Sequence, residues 1–217
     1  MMRLSIALGV CAATLFAQEE AADRRLQHAA DTIQDIMASP DKSIPRGVFD
    51  RAKCVVVVPG MKKAALGIGG EYGRGFAACR TGTGWSAPAA VKMAGGSFGL
   101  QLGGDSTDLI LLVMNDQGLQ HLLSDKFKIG ADATAAAGPV GRDASANTDV
   151  ALHSEILSWS RSRGLFGGVS LNGTVVEEDR SEDRKLYGRD ATNHEILTGQ
   201  TNAPAGGNPL AQALSRY

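Results

Sequence analysis

Residues 54–80 read Cys-Val-Val-Val-Val-Pro-Gly-Met-Lys-Lys-Ala-Ala-Leu-Gly-Ile-Gly-Gly-Glu-Tyr-Gly-Arg-Gly-Phe-Ala-Ala-Cys-Arg. The run Cys54–Val58 is β-branched, uncharged and too short for a helix, which marks a buried strand. Pro59-Gly60 is expected to end it. Ala64–Gly70 and Gly73–Arg80 read as two further strands around Gly70-Glu71-Tyr72-Gly73. Thr81-Gly82-Thr83-Gly84 reads as a turn. Extended stretches continue through Trp85–Met93, Phe98–Leu102 and Leu109–Met114, with Gly103-Gly104-Asp105 between the last two. Beyond them, Phe127–Ala137, Glu155–Arg163 and Leu165–Val176 also read as strands.

Helical patterns flank this centre. Between Asp23 and Met37, Leu26, Ala30, Ile33 and Met37 recur at three- and four-residue steps, and Ser39-Pro40 stops the helix. Ile44-Pro45 starts a short helical stretch through Val48, Phe49 and Ala52. Asn115-Asp116 offers a cap for a helix through Leu119, Leu122 and Leu123. The close is helical: Asp179–Tyr187, Asn193–Leu197, and a last helix opened by Asn208-Pro209. The expectation is one α+β domain over residues 23–217, with a strand-rich, mainly antiparallel, glycine-rich centre between N-terminal and C-terminal helices.

Composition agrees with many short strands and tight turns. Glycine numbers 27 of 217 residues, well above the usual ~7%, and aromatics are only 5%. With 22 Lys plus Arg against 23 Asp plus Glu, the net charge is −1. A dedicated nucleic-acid binder would carry a strongly basic domain, so nucleic acid is not an expected partner. Residues 1–17 combine one early cation, Arg3, with an apolar run from Leu4 to Leu15. That run is too short to span a bilayer and has the layout of a secretory signal peptide ending at Ala17. Cys11 offers a rival lipidation site, although Val10 is bulky for one. The chain is therefore expected to be exported, to a periplasmic or extracellular destination, with membrane association open. Cys54 and Cys79 remain beyond the leader, either as one disulfide or as two small buried hydrophobes.

Several stretches together resemble one known family. They are Ile44-Pro45 through Ala52-Lys53, Pro59-Gly60-Met61-Lys62-Lys63-Ala64, Gly69 through Gly75, and Trp85-Ser86-Ala87-Pro88-Ala89. The series continues with Asp108 through Val113, Ala137 through Arg142, Ser162 through Leu171, and Asn193 through Gly199. In this order, over about residues 24–216, they resemble the SYLF family, the lipid-binding domain also called the yeast-type actin-binding domain. The resemblance implies a phosphoinositide- or membrane-binding module without known catalysis. In eukaryotic members a basic amphipathic N-terminal helix contacts the lipid, and some fungal members also bind and bundle actin. An exported chain would meet neither cytosolic phosphoinositides nor actin. The expected partner is therefore an anionic phospholipid surface, with an envelope protein-interaction or self-assembling module as the alternative.

On that reading Lys62 and Lys63 lead the candidates for head-group contact, as two ammonium groups projecting from a turn with Met61 beside them for apolar insertion. Arg24, Arg25, Arg46, Arg51 and Lys53 extend the patch if the N-terminal helices pack beside that turn. The bland reading is a solvated turn. Asp23, Asp31 and Asp35 on the first helix favour one that covers the sheet over one that docks to a membrane. Arg161 and Arg163 read as a solvated strand end.

Catalytic patterns are weak. Gly95-Gly96-Ser97-Phe98-Gly99 has the letters of a nucleophile elbow, but an alternating, glycine-rich stretch follows where a helix is needed. Gly73-x-Gly75 and Gly82-x-Gly84 echo a dinucleotide fingerprint without a following helix. His28, His121, His153 and His194 are scattered, and Asp105–Asp108 and Asp143–Asp149 match no calcium loop. Asn172-Gly173-Thr174 is a glycosylation sequon by letter. No catalytic residue, metal site or cofactor is expected.

Overall fold

The valine run is the first segment of a much longer strand. In the computed structural model, which describes residues 4–39, 43–140, 154–162, 165–169 and 171–217, β1 extends over Cys54–Thr81. Side chains are described outside 4–20, 63–69, 97–105 and 165–168. β1 pairs antiparallel with β3, Ala89–Val113, from Cys54↔Val113 to Ala77↔Ala89. The two-residue β2, Gly84–Trp85, folds back on the end of β1.

Pro59-Gly60 is a bulge rather than a terminator. Val58 faces Leu109 and Met61 faces Thr107, so β1 carries one extra residue there. Gly60 takes φ 62, the left-handed region that glycine enters freely. Its N–H donates to Asp108 Oδ1 at 2.8 Å. The extra residue switches the alternation of the strand. Cys54, Val56 and Val58 share one core with Met61, Ala77 and Cys79, while Val55 and Val57 share the other with Phe76 and Ala78. A valine run buried on both faces needs no polar alternation. Gly70-Glu71-Tyr72-Gly73 and Gly103-Gly104-Asp105, read as turns, lie within β1 and β3.

The two halves of β1 also meet each other. A Cβ added at Gly75 would lie 2.0 Å from the carbonyl oxygen of Val57, so only glycine admits this crossing. Arg80 N–H donates to the Lys53 carbonyl at 2.7 Å. Beside it Cys54 and Cys79 form a disulfide, with Cα atoms 3.9 Å apart. Of the two readings of these cysteines, the bridge is the one found.

β3 continues the sheet on its other side. Its second half pairs with β6, Ile156–Ser162, which carries β7, Leu165–Gly168, and the parallel β5, Ala135–Ala137. Its first half pairs with β8, Val175–Glu178, which carries β4, Lys126–Lys128. The expected strand Leu165–Val176 is thus two, divided before β8 by a turn in which Gly173 has φ 92.

Each sheet face is covered. One lies under α1, Leu4–Ala38, α2, Arg46–Phe49, and the terminal α6, Pro209–Leu214. α1 contributes Leu26, Ala29, Ala30, Ile33 and Ile36, all fully buried, so it covers the sheet. The other face packs Leu122 of α3, Asp116–Leu123, and Ile196 and Leu197 of α5, Asn193–Leu197. α4, Arg180–Tyr187, adds Leu186 to the first core. The expected caps at Asn115 and Asn208 form, and Asp179 caps α4 as well; each accepts a backbone N–H of the first turn. Among the described residues, no helix is long and apolar enough to cross a membrane.

Candidate functional site

Where the two ends of β1 are bridged, α2, the β1–β2 turn, α3 and α5 surround a cleft of about 500 Å³. Its cations are Arg51, Lys53 and Arg80, and its apolar wall is Leu119, Leu123 and Leu197. Asp50 also lines it, and Cys79 lies at its floor.

The floor is held firmly. Arg80 donates through Nε to the Ala52 carbonyl at 3.1 Å. Its guanidinium lies over the Trp85 ring, 4.4 Å from the centroid, a favourable cation–π geometry. Arg51 Nε donates to the Gly47 carbonyl at 2.9 Å, and its side chain is exposed. Lys53 Nζ reaches Asp116 Oδ1 at 2.8 Å, tying β1 to the first turn of α3. Both partners are substantially exposed, so this pair adds little stability and its ammonium stays accessible.

The apolar wall follows from how α3 is seated. Asn115 Oδ1 accepts from Gly118 N–H at 2.9 Å. On the inner side, His121 Nε2 lies 3.3 Å from Glu155 Oε2, while Glu155 Oε1 accepts from the N–H and hydroxyl of Thr134. The Asn115 cap and the burial of Leu122 leave Leu119 and Leu123, one helical turn apart, half-exposed toward the cleft.

A second groove, of about 450 Å³, lies between α1 and the Pro59-Gly60 bulge and includes Arg24, Arg25 and Arg161. Acids meet its cations. Arg25 pairs with Glu182, Arg161 pairs with Asp35 and lies 3.7 Å from Asp108, and Asp31 lines the same wall.

Comparison with known proteins bears on this geometry. The family profile described as Ysc84, Las17-binding protein actin regulator, matches residues 94–217. An SH3 domain-containing protein of Schizosaccharomyces pombe is 35% identical over 176 residues, 79% of this chain and 41% of its own. Protein YSC84 of Saccharomyces cerevisiae is 33% identical over 178 residues, 80% of this chain and 38% of its own. The SH3 domain-containing YSC84-like protein 1 of Homo sapiens is 32% identical over 180 residues, 82% of this chain and 52% of its own. The chain belongs to the Ysc84, or SYLF, family. It spans about half the length of these curated relatives, or less. Two of them are named as SH3 domain-containing proteins, and none of the three carries an enzyme's name.

Within this SYLF chain the expected cations do not form one patch. Lys62 and Lys63 are consecutive residues of β1, paired with Ser106 and Asp105, rather than residues of a turn. Lys62 is exposed, with Nζ 3.5 Å from Ser106 Oγ. Met61 is 1% exposed and packs in the core, so it offers no apolar insertion. Arg24 and Arg25 belong to the α1 groove. The Arg46 guanidinium stands over Tyr217, 5.9 Å from the ring centroid. Among the expected cations whose side chains are described, Arg51 and Lys53 are brought together beside apolar side chains, and Arg80, read simply as the end of a strand, joins them.

The other sequence candidates settle into structure. Asp108 holds the bulge, and Asp105–Asp108 lie in β3. Ser97 lies in the middle of β3 opposite Gly69, with strand on both sides. Asp143–Asp149, His153 and Arg163 lie outside the described residues.

The α4 helix supplies a buried acidic network that its polar sequence conceals. Arg74 of β1 bonds Asp179 Oδ2 at 2.6 Å through Nε and lies 3.3 Å from Glu182 through Nη2. Burial alone would raise the Asp179 carboxyl, but hydrogen bonds from Ser181 and Arg74 hold it below the usual range. Asp183 is fully buried and accepts only the Ala90 N–H, at 2.8 Å. Burial, reinforced by Glu178, Asp179 and Glu182, pushes it up to about 8. This network ties α4 to the sheet, away from the cleft.

Proposed function

We propose that this chain is a non-enzymatic lipid-binding module that takes anionic phospholipid head groups, phosphoinositide-like ones among them, at a membrane surface reached by export. The observation that carries this reading is the cleft in which Arg51, Lys53 and Arg80 stand beside the half-exposed Leu119 and Leu123. A cation next to apolar surface suits the boundary between lipid phosphates and acyl chains. Near an anionic membrane each basic side chain contributes roughly 1 kcal/mol. Arg51 and Lys53 together would therefore change the binding constant by ~30-fold. The α1 groove supports the reading less well, because its guanidinium groups face carboxylates.

The test is co-sedimentation of the purified chain with vesicles of phosphatidylcholine alone, or mixed with phosphatidylglycerol, cardiolipin or phosphatidylinositol phosphate, at low and high salt. Binding that requires the anionic lipid and weakens with salt is expected. Equal binding to neutral vesicles, or none to any, would overturn the reading. In that case a protein-interaction module becomes the better account, since the family description is that of a Las17-binding actin regulator.

A further inference from the structure

The cleft beside the Cys54–Cys79 bridge has the make-up of a ligand pocket as well as of a docking surface. Its volume, about 500 Å³, falls in the ~300–1,000 Å³ range of small-molecule sites. Charge and apolar surface are segregated within it. Asp50, Arg51 and Lys53 come from the end of α2 and the start of β1, and Arg80 from the end of β1. Leu119 and Leu123 come from one face of α3, with Leu197 of α5 behind them. Asp50 and the Lys53-paired Asp116 offset part of the positive charge, leaving an excess of one cation among these five groups. That balance suits a single carboxylate or phosphate group.

Both walls are fixed in place. The disulfide, the Arg80–Lys53 backbone bond and the Arg80–Trp85 stack hold the cationic side. The Asn115 cap and the burial of Leu122 hold the leucine side. A preformed cleft spares the ligand the cost of ordering it.

We infer that this cleft takes one single-chain anionic amphiphile, a fatty-acid carboxylate, with its head group at Arg51 and Lys53 and its chain along Leu119, Leu123 and Leu197. The inference rests on the lipid reading above and deepens it: the protein accommodates one acyl chain out of water, beyond meeting a head group at a surface. Charge complementarity selects the anionic head, and the leucine wall selects the chain.

The test uses the full chain and a fluorescent nitrobenzoxadiazole derivative of dodecanoate below its micelle concentration, displaced by dodecanoate or by uncharged dodecanol. One equivalent of dodecanoate should bind, at least tenfold more tightly than dodecanol. Leu123→Glu should weaken dodecanoate at least tenfold. Arg51→Glu should weaken dodecanoate severalfold and leave dodecanol unchanged. Lys62→Glu, on the strand away from the cleft, should change neither. Leu119→Gln, a milder change on the same wall, stands in if Leu123→Glu lowers the thermal midpoint. Many equivalents without saturation, equal binding of dodecanol, or full affinity in the folded leucine variants would overturn the inference.

Vesicle co-sedimentation run alongside separates the two claims. Vesicle binding without dodecanoate binding leaves surface docking standing and removes the pocket. Dodecanoate bound one to one without vesicle binding keeps the pocket and removes surface docking.

Discussion

Cys54 and Cys79 join the two ends of a single strand, 25 residues apart in sequence, and Cys79 lines the cationic cleft. Closing a loop of that length stabilises a fold by about 3–4 kcal/mol in the chain-entropy account. Reduction, or the Cys54→Ser/Cys79→Ser double variant, should lower the urea-unfolding free energy by about that amount. Denaturation curves with and without reductant measure it. Identical midpoints would mean that the bridge does not constrain the chain.

Arg74 faces two carboxylates, Asp179 and Glu182, whose side chains are 4% and 3% exposed. Arg74→Ala would leave both without this partner, and removing one member of a buried pair costs about 3 kcal/mol or more. Ser181 still serves Asp179 and Arg25 still serves Glu182, which keeps the loss near the lower end. Thermal unfolding of Arg74→Ala against Arg74→Lys checks this, with the lysine variant expected in between.

Asp183 predicts an unusual pH dependence. Its folded pKa, raised to about 8 by burial, lies above the unfolded value of ~3.9. The folded state therefore holds a proton that the unfolded state releases across this window. The contribution is fully present below the unfolded pKa and is lost as pH rises toward about 8, at up to ~1.4 kcal/mol per pH unit. Asp183→Asn keeps the acceptor for Ala90 N–H and removes the titration. Its stability should stay flatter than that of the parent between pH 5 and 8. Parallel slopes in the two proteins would contradict the assignment.

Gly75 and Gly47 make a matched pair. Gly75→Ala drives a Cβ against the Val57 carbonyl and the Val58 Cα and should destabilise by ~1–3 kcal/mol or more. Gly47→Ala on α2 meets nothing within 4 Å and should be neutral or stabilise by up to ~1 kcal/mol. Chemical denaturation of the two variants side by side gives the comparison.

What could be read from local pattern was the type of element. The valine run, the capping residues Asn115 and Asn208, and the apolar period of α1 each carry their structural cause within a few residues. Continuity was not local. Pro59-Gly60 suits a turn and a bulge equally, and the pairing of Val58 with Leu109 and Met61 with Thr107, almost fifty residues away, decides between them. The same distance hid the site. Arg51 and Lys53 were visible as cations, but Arg80 joins them only because the far end of β1 returns to its start. Leu119, Leu122 and Leu123 all read as part of one helix; packing on the core buries Leu122 and leaves the other two toward the cleft. The helix Asp179–Tyr187 was legible, but the burial of Glu182 and Asp183 was not, because Arg74 and the Ala90 N–H that they meet are remote in sequence.

The most direct measurement is backbone hydrogen exchange of the full chain with and without phosphatidylglycerol vesicles. Slower exchange confined to residues 50–53, 79–82, 116–123 and 197–198 is predicted, with the Lys62 segment and the α1 groove unchanged. Protection centred on residues 24–35 and 59–63, with the cleft exchanging as in free protein, would contradict the placement of lipid at Arg51, Lys53 and the α3 leucines.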